Sequence, residues 1–237
     1  MPFSLKHKNW DSDFFGFKVA DITGTGDASE LRNICDALKK AHYRLAYWRV
    51  SSADVLSNSA LENAGIKQID TKVTFVKILD HISRNLFSYI EPYTGKINPE
   101  LISLSLQSGE FSRFRNDPVF PVNTFEKLYT TWITKAVEEN NVKKIFVSKE
   151  SEKITGFVIV HEVNPERAEI DLIAVDKNYR GKKIGKELVH TAVKWSNENN
   201  YKELQVVTQK RNKAGCKFYE ACGFNIEKEE NVYHFWL

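Results

Sequence analysis

A short basic turn at residues 180–185, Arg-Gly-Lys-Lys-Ile-Gly, constrains this chain more than any other stretch, because it joins a strand pattern to a helix pattern. Alternating side chains over 168–175 predict the strand, and apolar residues spaced three or four apart over 184–195 predict the helix. The first N–H groups of a helix lack intrahelical acceptors and carry partial positive charge. The glycines allow a ligand close to the backbone, so we expect a phosphate or diphosphate to bind here.

The strand before the turn is predicted to have two different faces. Strict alternation places on one face Ile170, Leu172 and Ala174, and on the other Glu169, Asp171, Ile173 and Val175. On this reading the two carboxylates share a face with the residues closest to the anion turn.

Composition is that of a soluble globular protein, with 42% hydrophobic and 27% charged residues among 237. Its formal net charge is +3, from 34 basic and 31 acidic side chains, which is too small to predict a nucleic-acid partner. The basic cluster at 177–186 lacks the interleaved aromatic residues of a single-strand-binding platform. We therefore expect a small-molecule partner and no nucleic acid.

The sequence contains neither a signal-peptide pattern nor an apolar window long enough for a membrane span. Its cysteines are Cys35, Cys216 and Cys222, an odd set without metal-ligand spacing. Reduced thiols are typical of the cytoplasm. We expect a cytoplasmic protein with no membrane partner and no metal.

A second motif follows a predicted strand at 204–208. In the helix that begins there, Asn212, Gly215 and Tyr219 are spaced to share one face, and two turns separate Asn212 from Tyr219, or about 10.5 Å. Each has an ordinary alternative role. Asn212 is a favoured helix N-cap, and Tyr219 is a large side chain that packs beside Phe218.

Two halves are predicted, 1–82 and 83–237. From about Ser83 the predicted order is strand, two helices, three strands, helix, strand, helix and two strands, with 111–121 irregular because it contains two prolines. Residues 43–66 parallel 201–224 with the same internal spacing, which makes the first half a degenerate copy. Because that copy lacks the basic glycine turn, we expect no second cofactor site there.

The hexapeptide 180–185 resembles the coenzyme A pyrophosphate loop of the GNAT acetyltransferases, whose pattern is Gln/Arg-x-x-Gly-x-Gly/Ala. Residues 212–224 resemble a second GNAT motif, Asn-x-x-Ala-x-x-Phe/Leu-Tyr-Glu-x-x-Gly-Phe, and depart from it at Gly215. The resemblance implies a mixed α/β GNAT fold with a degenerate GNAT-like N-terminal half. It also implies an acyltransferase that uses acetyl-CoA as the acyl donor.

Site residues follow from the same resemblance. It implies that the pantetheine arm binds along Ile173 and Val175, that Asn212 contacts the arm, and that Tyr219 donates a proton to the leaving sulfur. The diphosphate would take backbone donors from Arg180, Gly181, Lys182, Lys183, Ile184 and Gly185. Glu169 resembles the strand glutamate that serves as general base in some members. A water chain that removes the proton stays open as the alternative.

Residues 10–17 and 112–118, together with the GNAT motifs, resemble the dTDP-fucosamine acetyltransferase family. That family N-acetylates a nucleotide-linked 4-amino-6-deoxy sugar for surface polysaccharide synthesis. Such a substrate brings a diphosphate and a flat base, for which the expected sources of charge and stacking are Arg113, Arg115, Phe111, Phe114 and Phe120. Asp171 is a further expected substrate-binding residue. The alternatives are a protein or small-amine N-acetyltransferase and a non-catalytic acetyl-CoA sensor. Whether the chain forms a homodimer stays open.

Overall fold

The structure is a computed structural model that describes residues 4–80, 89–139 and 142–237. Its strands are β1 (Ser4–His7), β2 (Val19–Thr23), β3 (Leu45–Ser51), β4 (Gln68–Ile78), β5 (Ile90–Pro92), β6 (Lys143–Glu150), β7 (Lys153–Asn164), β8 (Arg167–Val175), β9 (Glu203–Gln209) and β10 (Asn225–Trp236). Its helices are α1 (Asn9–Phe15), α2 (Ala28–Lys40), α3 (Val55–Asn63), α4 (Pro99–Ser108), α5 (Arg113–Asn116), α6 (Thr124–Glu138), α7 (Ile184–Glu198) and α8 (Lys213–Ala221), with a 3₁₀ turn at Lys177–Tyr179.

The chain divides into two compact units. Unit 1 contains residues 1–73, 209–211 and 228–237, and unit 2 contains residues 74–208 and 212–227. The predicted boundary between residues 82 and 83 falls outside the described residues and stays a prediction.

In unit 1 the strand order is β1-β2-β3-β10-β4. Strands β2 and β3 run parallel, with Val19 opposite Leu45, whereas β10 runs antiparallel to β3. Helix α2 buries Leu31, Ile34 and Leu38 against this sheet, because they recur at the three- and four-residue spacing of one helix face.

In unit 2 the strand order is β9-β8-β7-β6-β5, and β8 and β9 are the parallel pair. Helices α4 and α6 cover one face of the sheet, where the core contains Leu104, Ile133, Phe157, Ile159 and Ala174. Helix α7 covers the other face above Gly156, where a Cβ would lie 3.1 Å from both Ile184 and Leu188. The α/β fold class is thereby confirmed.

Two predictions about elements are wrong. The expected pair of strands at the C-terminal end is one continuous strand, β10, and the expected irregular stretch 111–121 contains the one-turn helix α5. Ser112 caps this helix, since its hydroxyl accepts from the Phe114 N–H at 3.3 Å. Among the residues described, no helix has the length and apolar character that a membrane crossing requires.

Unit 1 repeats the local architecture of the last part of the chain. Residues 52–54 connect β3 to α3, and 210–212 connect β9 to α8. Asp54 and Asn212 cap the two helices in the same way, each accepting from the N–H three residues later. Leu61 and Tyr219 occupy the seventh position of their helices. The copy therefore keeps the backbone design and lacks the tyrosine.

The first helix of this copy has its N-terminus already occupied. The Asp27 carboxylate accepts from the N–H groups of Ser29 at 2.8 Å and Glu30 at 3.1 Å, and the Glu30 carboxylate accepts from the Asp27 N–H at 3.0 Å. This capping box satisfies the amides that a bound anion would need. It gives a physical reason why unit 1 lacks an anion cradle at α2.

We expect this cap to make a pH-dependent contribution to stability. The backbone hydrogen bonds from Glu30 and Ser29 hold the pKa of Asp27 below its usual value. A lowered pKa in the folded state stabilises the protein above the unfolded value of about 3.9, and this stabilisation disappears as the pH falls through the folded value. Asp27→Ala should therefore lower the Tm at pH 7, with a difference from wild type that narrows below pH about 4.

Thermal unfolding followed by circular dichroism between pH 3 and 8 measures this difference. Asp13→Ala, at an exposed carboxylate of α1, is the matched control and should leave the Tm unchanged. An Asp27→Ala difference that does not vary with pH would contradict the assignment.

Candidate active site

Unit 2 contains a cleft of about 570 Å³ between the end of β8, the start of α7 and one face of α8. Nine of the residues predicted to bind the cofactor line it: Ile173, Val175, Arg180, Gly181, Lys183, Ile184, Gly185, Asn212 and Tyr219. Residues far apart in the sequence, from the two separate motifs, are thereby brought to one site.

The cleft lies where β8 and β9 stop pairing. Their parallel register runs from the Arg167–Glu203 pair to the Ile170–Val206 pair, although β8 continues to Val175 and β9 to Gln209. The Val175 carbonyl accepts from Arg180 Nε at 3.2 Å, so it faces the cleft. Backbone groups two residues apart in a strand face the same edge, which directs those of Ile173 there as well.

A β-bulge at Asp171 corrects the predicted faces of β8. Ile159 pairs with Leu172 while the next residue, Val160, pairs with Ile170, so Asp171 is an extra residue. Cross-strand partners share a face, which places Glu169 with Leu172 and Ala174, and places Ile170 with Ile173. Strict alternation predicted the reverse grouping. The side chain of Glu169 therefore lies on the face covered by α4 and α6.

The turn before α7 has the geometry of an anion cradle. Gly181 and Lys183 adopt left-handed conformations, with φ of +83° and +64°, and Lys183 is an N-cap without a side-chain hydrogen bond to the helix. Within the described parts of the chain, the backbone N–H groups of 180–185 donate to no backbone acceptor. Successive amides in such a turn converge on anions.

The absence of a side chain at Gly185 leaves space in the turn for a ligand. A Cβ at this position would lie 3.3 Å from the Phe218 ring, so a larger side chain would press into the cleft. Unpaired helix-terminal amides beside basic side chains fit a diphosphate, and the unpaired edge of β8 fits the amide groups of a pantetheine arm. The residues present therefore suit coenzyme A.

Cationic side chains at the turn point in two directions. Arg180, Lys183 and Lys186 line the cleft. Lys182 does not line it, since its ammonium pairs with Glu150 at 3.0 Å and lies 4.8 Å from the Tyr179 ring centroid. The predicted role of Lys182 is therefore limited to its backbone N–H.

Asn212 is both a helix cap and a cleft residue, so the two readings of this residue are compatible. Its Oδ1 accepts from the Gly215 N–H at 2.9 Å, and its Nδ2 donates to Thr208 Oγ1 at 3.2 Å. A Cβ on Gly215 would lie 2.4 Å from Asn212 Nδ2. Glycine in place of the usual alanine therefore leaves room for this cap.

Tyr219 is buried on α8, with 7% of its surface exposed, and contacts the rings of Phe75, Phe218 and Phe224. Among the described residues no hydrogen bond is made by its hydroxyl. Burial in this apolar setting raises its pKa far above the usual value. Tyr219 therefore keeps its proton at neutral pH and lies against the cleft, as a proton donor must.

The two carboxylates of β8 lie beside the cleft and do not line it. Glu169 accepts a hydrogen bond from the Gln205 side-chain amide, and Asp171 forms an ion pair with Lys143 on β6. The Glu169–Gln205 pair comes one position before the last β8–β9 pair. Glu169 is thus held at the closed end of the gap between the strands.

Arg113, Phe114, Arg115 and Asp171 are not among the residues that line the cleft. Phe114 is buried, with 7% exposure, and packs against Phe120 and Trp132, so its contact with the base stays a prediction. The Arg113 guanidinium lies 4.7 Å from the Phe114 ring, and Arg115 lies 5.1 Å from the Phe125 ring. Arg115 is exposed and Arg113 half-buried.

Sequence reasoning missed the opposite wall of the cleft. It is formed by the end of α4 and the following turn, with Gln107, Ser108, Glu110 and Phe111. Gln107 Oε1 accepts from the Lys177 N–H at 3.1 Å, which joins this wall to the turn after β8. Phe111 was expected only to stack on the base of the substrate, and no local pattern distinguishes the others from ordinary helix-end residues.

The two neighbouring lysines of the turn provide a matched test of the cradle. Lys183→Gln removes a charge from a residue that lines the cleft, so coenzyme A should bind roughly twofold to fivefold more weakly, as expected for about 0.3–1 kcal/mol. Lys182→Gln removes an equal charge that faces Glu150 and should leave the Kd unchanged. Calorimetric titration with coenzyme A measures both, and equal effects would contradict the assigned directions.

Comparison with known proteins agrees with this geometry. Residues 107–224 match the acetyltransferase (GNAT) family. The chain is 26% identical over 235 residues to the dTDP-fucosamine acetyltransferase of Escherichia coli O6:H1, covering 99% of this chain and 97% of that protein. It is 44% identical over 57 residues to streptothricin acetyltransferase A of Bacillus subtilis, covering 24% of this chain and 33% of that protein.

A GCN5-related N-acetyltransferase from Sphaerobacter thermophilus has a similar fold, with a TM-score of 0.63 at 12% identity, covering 99% of this chain and 76% of that one. The matched segment 107–224 contains all the residues that line the cleft, including those at the end of α4 and in the turn that follows it. The roles of the individual residues stay predictions. This chain is an acyltransferase that belongs to the GNAT acetyltransferases, with its family domain at residues 107–224.

Proposed function

We propose that this enzyme transfers the acetyl group of acetyl-CoA to the 4-amino group of a dTDP-linked amino-deoxy sugar, in the synthesis of a surface polysaccharide. One observation carries the choice of substrate. Similarity to the dTDP-fucosamine acetyltransferase extends over 99% of this chain and therefore includes most of unit 1, which lies outside the GNAT match except for residues 209–211. Similarity to a relative that shares only the cofactor-binding domain would cover a smaller part of the chain.

Acetyl-CoA supplies the acetyl thioester of this reaction. As the amine nitrogen bonds to the carbonyl carbon and the carbon–sulfur bond breaks, one proton leaves nitrogen and one reaches sulfur. Tyr219 is the proposed donor to sulfur, because its hydroxyl is protonated and lies against the cleft. Since burial raises the pKa of Tyr219, its ionisation should cause no loss of activity below pH about 10.

Glu169 is the proposed acceptor of the proton from nitrogen. The arm of the donor would run from the cradle at α7 back along the free edge of β8, and this direction leads toward the closed end of the gap. Glu169 lies at that end. Its position on the α4 and α6 face separates it from the cradle, so the amine would approach from the side opposite the diphosphate.

Recognition of the nucleotide is assigned to the segment after α4. Phe111 lines the cleft, and Arg113 and Arg115 follow it within one turn of α5. Their guanidinium groups are suited to a sugar-nucleotide diphosphate. Asp171, in its ion pair with Lys143, is the proposed contact to the sugar.

A small-amine acetyltransferase is the second candidate. The short stretch that is 44% identical to streptothricin acetyltransferase A favours it. That stretch covers only 24% of this chain, so we rank it below the nucleotide sugar.

Thiol release from acetyl-CoA distinguishes these functions. The acceptors are dTDP-linked 4-amino-4,6-dideoxy sugars, streptothricin, polyamines and peptides, each with wild type, Tyr219→Phe and the exposed-tyrosine control Tyr89→Phe. Turnover should be confined to the dTDP sugars, and Tyr219→Phe should lower kcat by about a hundredfold or more. Tyr89→Phe should behave as wild type.

Other results would indicate a different function or a different proton donor. Turnover with streptothricin or polyamines and none with dTDP sugars would establish the small-amine function. Binding of acetyl-CoA without acetylation of any acceptor would indicate a sensor. Unchanged kcat in Tyr219→Phe would remove Tyr219 as the proton donor.

A further inference from the structure

We propose that Gln205 is a positioning residue that holds the Glu169 carboxylate in place for proton transfer, and that Arg167 fixes the orientation of the Gln205 amide. This inference rests on the proposed function, in which Glu169 accepts the proton of the amine. All three residues lie in unit 2: Arg167 and Glu169 on β8, and Gln205 on β9.

The Arg167 guanidinium is held by two carboxylates. Its Nε and Nη2 donate to Glu203 Oε2 at 2.8 and 2.5 Å. Its Nη1 and Nη2 donate to Glu227 Oε2 and Oε1 at 3.0 and 2.8 Å, a bidentate pair. Only 22% of the Arg167 side chain is exposed. A planar group with this many charge-assisted hydrogen bonds has little freedom to rotate.

This fixed guanidinium determines which way the amide of Gln205 points. Arg167 Nη1 also donates to Gln205 Oε1, at 3.1 Å. Because a guanidinium has donors and no acceptor, only the oxygen of the amide satisfies it. The amide nitrogen is then directed to the other side, where it donates to Glu169 Oε2. The chain of contacts thus runs from Arg167 through Gln205 to Glu169.

The position of this chain gives it a role in the reaction. Arg167–Glu203 and Glu169–Gln205 are residue pairs of the β8–β9 ladder, and that ladder ends at Ile170–Val206. Glu169 is therefore the last carboxylate before the strands part. Gln205 binds one oxygen, Oε2, and the structure describes no hydrogen bond to Oε1, which is thus available to an amine.

A double-mutant cycle separates positioning from general stabilisation. The proteins are wild type, Gln205→Leu, Glu169→Gln and the double variant, assayed with acetyl-CoA and a dTDP-linked 4-amino-4,6-dideoxy sugar. Gln205→Leu should lower kcat by about tenfold to a hundredfold, and the Kd of coenzyme A should stay within about twofold. In the Glu169→Gln background, Gln205→Leu should cause no further loss.

Two additional variants guard against misfolding and unspecific effects. Gln205→Glu keeps the length and the contact to Arg167 but places a negative charge beside Glu169, so it should fold and should lose a similar share of kcat. Gln68→Leu, at an exposed glutamine of unit 1 that donates to Thr71, should behave as wild type.

Four results would overturn the inference. The first is a Gln205→Leu enzyme as active as wild type, and the second is an equal loss of kcat in both backgrounds, which indicates a structural role. Full activity of Glu169→Gln would also overturn it, while leaving acetyl transfer to the sugar intact. If wild type acetylates no acceptor, the proposed function fails and this inference fails with it.

Discussion

The site depends on the point where β8 and β9 stop pairing. Up to the Ile170–Val206 pair the two strands are neighbours in a parallel ladder, and beyond it each continues without the other. A strand edge that has lost its partner presents backbone donors and acceptors, which must be satisfied by water or by a ligand. The bulge at Asp171 follows immediately and turns the side chains of β8 by one position. Backbone recognition and side-chain chemistry thereby meet at one place on one strand.

The two units differ in how the N-terminus of the helix between their parallel strands is capped. Both units contain a parallel strand pair, a helix between the strands and a capped helix after the second strand. At α2 the carboxylate of Asp27 occupies the first amides, whereas at α7 the N-cap is Lys183 in a left-handed conformation, and it makes no such contact. The N-terminal amides of α2 are therefore bound by a side-chain cap in unit 1, whereas those of α7 in unit 2 are available to an anion.

The residues predicted for the turn and for α8 line one cleft, because their spacing is set locally; their roles in binding and catalysis stay predictions. The positions of Gly181, Gly185, Asn212 and Tyr219 follow from the spacing of one turn and one helix. The faces of β8 were predicted wrongly, since one extra residue in a ladder leaves no mark in an alternating pattern. The burial of Phe114 was not predictable, because it depends on the Trp132 ring of α6, which is distant in the sequence from α5.

Contacts between distant segments were likewise beyond local pattern. Gln107 lies 70 residues before its partner Lys177, and Arg167 lies 38 residues before Gln205. Long-range hydrogen bonds of this kind arise from the register of strands and the ends of helices. They determine which polar residues line the cleft and which lie outside it and hold other residues in position.

Hydrogen exchange of the backbone amides, measured with and without coenzyme A, tests the central claim that this parting of the strands and the turn after it form the cofactor site. The account predicts that coenzyme A slows exchange in peptides covering 171–175 and 180–185. Exchange at 27–31, where Asp27 caps α2, should stay unchanged. No slowing at 180–185, or equal slowing at 27–31, would contradict the account.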